Sequence, residues 1–395
     1  MGALASEPLP PQAEAWLSAH VSGYRGPGRL TKFSFGQSNP TFRLESGGGD
    51  YVLRRKPLGL LLPKAHAIER EFRVLSALEG TPVPTPSVFA LCEDREILGA
   101  PFYVMELVVG RIFYDQRMPG LVADERRRLF DAMGEAVANL HSADPAVLGL
   151  GDYGRGEGFI ARQVGLWTHQ YRASETVPID SMEQLIEWLP ANLPAEQPAR
   201  VFHGDLRLDN MIFHPSEPRV VGLLDWELST LGDPLADFAY HAMVWRVGAN
   251  LFRGFADLER RAHGIPEEEE YVRSYCQRTG RDGIPDWNFD LAFSLFRVAA
   301  ILQGVRHRAQ TGQASSTDAA EVGAKAGPLA DIGWAVAQGA DSLAGTRASP
   351  VRGALFCQTG NPRFIYEAYR LLKEGIAFGR AFDLSSGGRH RARHL

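Results

Sequence analysis

Between Phe202 and Phe213 the chain reads Phe-His-Gly-Asp-Leu-Arg-Leu-Asp-Asn-Met-Ile-Phe, and no other stretch limits its fold so tightly. Asp205 stands two residues after His203, and Asn210 follows it five positions later. Fifteen residues beyond Asn210, Asp225 closes the apolar run Val220 to Leu224. Asp and Asn usually serve to cap turns. Turn capping, however, does not require three oxygen-bearing groups in register. The fixed letters H-G-D-x-x-x-x-N arise by chance in roughly one chain of this length in a thousand, on average residue usage. Moving a phosphoryl group asks little else of a protein: a carboxylate to orient the attacking hydroxyl, and oxygen ligands to hold Mg²⁺ on the phosphates. The protein-kinase loop presents an Asp, an Asn five residues on and a metal-binding Asp one hairpin later. The order and spacing here are the same.

Upstream, the pattern is a strand, a turn and a strand: Leu30 to Phe35, then Gly36-Gln37-Ser38-Asn39-Pro40, then Thr41 to Leu44, followed by Tyr51 to Arg55. A small-residue turn between hairpinned strands can lay backbone N–H groups over phosphates, so Gly36, Ser38 and Asn39 are candidate nucleotide contacts. With one Gly in place of three, the turn also reads as a plain hairpin. A helix is expected from Ala65 to Leu78, with Phe72, Leu75 and Leu78 on its buried stripe. Ser87 to Cys92 and Pro101 to Val108 read as strands, and Ala123 to His141 as a helix keeping the 3–4 rhythm at Phe130, Met133, Val137 and Leu140. Ile160 to Tyr171 and Ser181 to Leu189 read as further helices, the second stopped by Pro190. Residues 250–345 are mainly helical in pattern.

The residues that carry a family likeness are Tyr51-Val52-Leu53-Arg54-Arg55-Lys56-Pro57, Pro101-Phe102-Tyr103-Val104-Met105-Glu106, the Arg-Leu-Asp-Asn at 207–210, and Leu224-Asp225-Trp226-Glu227. From about residue 25 to about 345 the chain resembles the aminoglycoside phosphotransferase family. Within it, the likeness is to phosphotransferase domains fused to, or encoded beside, acyl-CoA dehydrogenases. The resemblance implies an α+β, bilobal protein-kinase-like fold: a small N-terminal antiparallel-sheet lobe over residues 1–108, then a larger, mainly helical lobe over 109–345. Residues 346–395 form an extension without an assigned role. It implies an ATP- and Mg²⁺-dependent kinase of a small-molecule alcohol. Asp205 would act on the acceptor hydroxyl, Arg207 on the moving phosphoryl group, and Asn210 and Asp225 on Mg²⁺. Arg54 aligns with the strand lysine of kinases, a departure that substitutes a planar fork for a point charge. Glu71 matches the helix glutamate that pairs with that cation, with Glu69 as its rival. Met105 would back the adenine, and the backbone of Glu106 and Val108 would bond its edge. Asp237 would hold the loop at 203–210. His203 and His141 read as structural.

Arg162 and Trp167 lie where small-molecule kinases of this kind shape their acceptor pocket, though an amphipathic packing helix fits equally well. Glu227 is a further acceptor candidate. An amino-sugar acceptor favours an acidic pocket. The cationic Arg162 and Arg207 lean instead toward an anionic acceptor, and the subfamily likeness implies a hydroxyacyl-CoA or hydroxy acid. Aminoglycosides, and a catalytically silent nucleotide-binding module, stand as the alternatives.

The whole-chain balance narrows the setting. A formal charge of −5 provides no basic footprint for nucleic acid. Cys92, Cys276 and Cys357 are far apart, which suits a reducing compartment and leaves no cysteine zinc site. The N-terminus lacks a signal-peptide pattern. Leu291 to Val305, the longest apolar stretch, is interrupted by Arg297 and too short to span a bilayer. The expected address is the cytoplasm, with no membrane partner.

Overall fold

A computed structural model describes residues 6–33, 39–58, 67–252, 254–313 and 318–339. The turn at Gly36 and Ser38, the first residues of the helix expected from Ala65, and the extension at 346–395 lie outside the described residues.

The N-terminal lobe is built on one antiparallel sheet. In chain order it comprises β1 (Ser6–Pro8), α1 (Pro11–His20), β2 (Arg29–Lys32), β3 (Thr41–Ser46), β4 (Gly49–Arg55), α2 (Ile68–Leu78), β5 (Val88–Cys92), α3 (Arg95–Leu98) and β6 (Phe102–Glu106). The strand order is β1-β2-β3-β4-β6-β5. Successive side chains of a strand point to opposite faces, and that alternation decides what β4 does. Tyr51 and Leu53 join Leu44, Phe102 and Val104 in a core under Leu9, Ala13 and Leu17 around α1. Val52 lies on the other face, packed with Tyr103 and Met105 against Val74, Leu75 and Leu78 of α2. Arg54 shares the parity of Val52, so it faces α2. Arg55 has the opposite parity, and its guanidinium lies over the Phe42 ring.

Gly110 carries the chain into the second lobe. A Cβ there would meet the Phe213 carbonyl oxygen at 2.3 Å, so only glycine lets the crossing lie this close. The lobe then comprises α4 (Ala123–Ser142), α5 (Phe159–Ser174), α6 (Asp180–Ala191), β7 (Arg200–Phe202), β8 (Met211–Phe213), β9 (Val220–Leu223), β10 (Thr230–Gly232), α7 (Pro234–Ala242), α8 (Ala249–Phe252), α9 (Glu268–Thr279), α10 (Trp287–Gln310), α11 (Ala319–Gly323) and α12 (Ala326–Ala337). Two short ribbons, β7 with β10 and β8 with β9, bracket residues 203–210 and bring Asp225 back beside them. Pro190 does not stop α6. It is accommodated in the last turn, which runs on to Ala191.

The second lobe's core is organised around α10, which packs on α5, α7, α11 and α12. By length and composition α10 could cross a bilayer, yet 89% of its apolar window is buried inside the protein. Its hydrophobicity serves the core.

Candidate active site

Loop 203–210 is fixed from below by Asp237 on α7. Its carboxylate accepts from the backbone N–H of His203 at 2.7 Å and of Gly204 at 3.0 Å. His141 Nε2 lies 3.4 Å from the same carboxylate, and its Nδ1 is 2.9 Å from the Tyr275 hydroxyl. Burial would raise the Asp237 pKa, but bonding and charge from His141 and His203 outweigh it and hold the carboxyl below its ordinary value. Asp233, its neighbour, caps α7 by accepting from Leu235 N–H. The loop needs glycine at 204, where φ is +84° and a Cβ would stand 3.0 Å from Leu228. His203 Nε2 is 3.0 Å from the Leu224 carbonyl, so it braces the loop against the chain leading to Asp225.

So held, Asp205 is 1% exposed and surrounded by donors. Asn210 Nδ2 donates to its Oδ2 at 2.9 Å, the Tyr240 hydroxyl donates to Oδ1 at 3.2 Å, and Arg207 Nε lies 3.1 Å from Oδ1. Tyr240 is a site residue that the sequence pattern did not reveal. Burial first, then the charge of Asp205, pushes its phenol well above the usual range, so it stays a donor. Arg207 also pairs with Asp209 at 3.0 Å.

Opposite lies the Arg54 cluster. Its Nε is 2.8 Å from Glu71, and one terminal nitrogen lies 3.3 Å from Asp225 and 3.4 Å from Glu227. Burial acts to lower the guanidinium pKa, but the charges of Glu71 and Glu227 and the hydrogen bond to Glu71 prevail and raise it. Glu71 is the partner on α2; Glu69 binds Lys56 instead. Asp225 reaches the cluster from a left-handed backbone, φ +73°, a conformation that Asp tolerates better than most side chains.

Several expectations change. Asn39 is fully buried and its side chain donates to Glu71 at 2.8 Å, bracing the ion pair. Glu227 lies 3.4 Å from the Arg54 guanidinium. Trp167 is 3% exposed within the α5–α10 core, because the amphipathic helix turns its ring inward. Arg162 bonds the Arg155 carbonyl at the start of α5. The N–H of Glu106 is committed to the Ser87 carbonyl, so only its own carbonyl is suited to an adenine edge. Met105 is buried in the core between the lobes, and Val108 lies close to Gly222.

Five carboxylates, Glu71, Asp225, Glu227, Asp205 and Asp209, share two guanidiniums in this cleft. Such an excess of buried negative charge suits a divalent cation. Among the described residues no three His, Cys, Asp or Glu side chains form a closed metal cage. Mg²⁺ does not need one: it is held by one or two protein oxygens and by substrate phosphates. The Asn210 amide oxygen and the Asp225 carboxylate fit that pattern.

The family model described as the phosphotransferase enzyme family matches residues 29–273. The chain belongs to that family. Mouse acyl-CoA dehydrogenase family member 10 is 46% identical over 334 residues, covering 84% of this chain and 31% of the relative. Rat acyl-CoA dehydrogenase family member 11 is 44% identical over 329 residues, covering 81% and 42% respectively. The chain therefore spans 31% and 42% of these two relatives' length. A solved structure from Ralstonia eutropha, provisionally classed as an aminoglycoside phosphotransferase, is 47% identical with a TM-score of 0.78, covering 84% of this chain and 98% of its own. A hygromycin-bound aminoglycoside phosphotransferase, 18% identical with a TM-score of 0.52 over 85% and 99%, shares the bilobal kinase-like fold.

Proposed function

We propose that this phosphotransferase moves the γ-phosphoryl group of ATP to the hydroxyl of a hydroxyacyl-CoA or related hydroxy acid. What supports the proposal is the Asn210–Asp205 hydrogen bond on the loop together with Asp225, which lies 3.3 Å from the Arg54 that Glu71 holds. We take residues 1–108 as the nucleotide lobe and 109–345 as the catalytic and acceptor lobe. The Glu106 carbonyl and Val108 N–H are suited to the adenine edge, with Met105 behind it. Arg54, tethered by Glu71, is placed to bond phosphate oxygens through its fork.

Asn210 and Asp225 would hold Mg²⁺, whose contribution when bound is to neutralise charge on the phosphate oxygens. Asp205 orients the acceptor hydroxyl and takes its proton late in the transfer. The transition state of phosphoryl transfer is loose, so alignment matters more than base strength. The hydrogen bonds from Asn210 and Tyr240 provide that alignment. Arg207, against Asp205, adds positive charge where the phosphoryl group moves.

The test is Mg²⁺-dependent phosphate transfer across hydroxyacyl-CoAs, amino sugars and small polyols, in the parent protein and in Asp205→Ala. Labelling confined to amino sugars overturns the acceptor assignment. Nucleotide binding without transfer to any acceptor points to a silent module instead.

A further inference from the structure

Four arginines are deeply buried: Arg54, Arg126, Arg207 and Arg297. Arg54 and Arg207 face carboxylates. Arg126 donates to the carbonyls of Met118, Leu121 and His263. Arg297, on α10, has neither a carboxylate nor a set of three carbonyls around it. It is 6% exposed, and among the described residues no carboxylate pairs with it. Among the described residues its one hydrogen bond runs from a terminal nitrogen to the Gly204 carbonyl at 2.7 Å. The planar cation is otherwise held by ring faces, 5.0 Å from the Tyr240 centroid and 5.6 Å from that of Trp167. A charge kept this dry without a counter-charge is costly unless a ligand completes it.

Its position says which ligand. Gly204 precedes Asp205, and the Tyr240 hydroxyl donates to Asp205 Oδ1. Arg297 thus lies on the face of Asp205 toward α5, α7 and α10, whereas Arg54 and Asp225 lie toward the nucleotide lobe. A hydroxyl presented to Asp205 from that face brings its neighbouring atoms toward Arg297.

We propose that Arg297 is the specificity residue that receives the acyl oxygen, a thioester carbonyl or a carboxylate, of the hydroxyl-bearing acceptor. This rests on the acceptor class proposed above. A guanidinium offers only donors, so it accepts carbonyl and carboxylate oxygens and opposes ammonium groups. Trp167 and Tyr240 hold the fork flat and keep it from folding away.

The test titrates the full chain, with Mg²⁺ and a non-hydrolysable ATP analogue, with two ligands: 3-hydroxybutyryl-CoA and its thioether analogue S-(3-hydroxybutyl)-CoA, which lacks the carbonyl oxygen. The parent protein should bind the thioester about 10- to 100-fold more tightly, as expected for one hydrogen bond from a charged donor. In Arg297→Met the two ligands should bind alike, and in Arg297→Lys the preference should be partly restored. Unchanged affinity for the ATP analogue shows that the variants are folded. The parent-protein comparison stands even where a variant does not fold. Equal binding of both ligands by the parent, no binding of either, or a preference that survives in Arg297→Met overturns the assignment. Phosphate transfer to hydroxyacyl-CoAs with equal binding of the two ligands would leave the proposed reaction standing while this assignment fell.

Discussion

Asn210 Nδ2 lies 2.9 Å from Asp205 Oδ2, and 2.9 Å from the Asp205 backbone carbonyl. One amide thus fixes both the rotamer of the carboxylate and the path of the loop that carries it, leaving the amide oxygen as the atom with metal-binding chemistry. The two residues should fail differently. Asp205→Ala should lower kcat by about 10²- to 10⁴-fold, the range for a positioned proton acceptor, with the KM for ATP little changed. Asn210→Ala should also raise the Mg²⁺ requirement, so added Mg²⁺ should recover part of its activity and none of that lost in Asp205→Ala. Initial rates against ATP and Mg²⁺ separate the cases.

Arg54 should behave as a structural cation as well as a phosphate ligand. In Arg54→Met, Glu71, Asp225 and Glu227 lose the cation they share. Removing one partner of a buried ion pair costs about 3–5 kcal/mol, so urea melts should shift clearly. Arg54→Lys keeps the charge and loses the fork. It should fold and show a KM for ATP raised by about 10-fold, the size of one charged hydrogen bond. A stable, fully active Arg54→Met would show that the cluster is dispensable.

That pair also shows what a sequence can disclose. The offsets at 205, 210 and 225 are local, and strand parity alone sends Arg54 to the α2 face and Arg55 away from it. The contacts of Tyr240 and Arg297 were not legible, because Tyr240 meets Asp205 across 35 residues and Arg297 meets Gly204 across 93. No periodicity encodes such meetings; they follow from how α5, α7 and α10 pack. Trp167 was open to two readings because an amphipathic helix does not say what covers its apolar face. The β7–β10 ribbon escaped notice because three-residue strands are too short to show alternation.

Acid should loosen the site from below. His241, on α7, is 2.8 Å from the Tyr271 hydroxyl, and burial pulls its imidazole from 6.5 down to about 4. The unfolded chain binds a proton near pH 6.5 that the folded protein refuses until about pH 4. The stability linked to this group is therefore complete above pH 6.5 and declines as pH falls toward 4. The loss should be on the order of 2–3 kcal/mol across that window. Urea midpoints of the parent and of His241→Gln, measured from pH 7 to pH 4, should converge as the pH drops. A parallel offset at every pH would assign the acid sensitivity to other groups.

Tyr153 joins the lobes. Its hydroxyl is 2.7 Å from the Ser229 hydroxyl and 3.1 Å from the Arg70 carbonyl, while the Arg70 guanidinium lies 4.2 Å from its ring centroid and bonds its carbonyl. Tyr153→Phe removes only the hydroxyl, and should cost about 1–3 kcal/mol through the groups left unpaired. Hydrogen exchange should rise in α2 more than in α10. Uniform exchange would show that the tie is local.

Because Arg70 belongs to the helix that also carries Glu71, the tether to Tyr153 and Ser229 anchors the glutamate that steadies Arg54. Swinging that helix outward, a common way to silence a kinase, would here break contacts to the opposite lobe together with a buried ion pair.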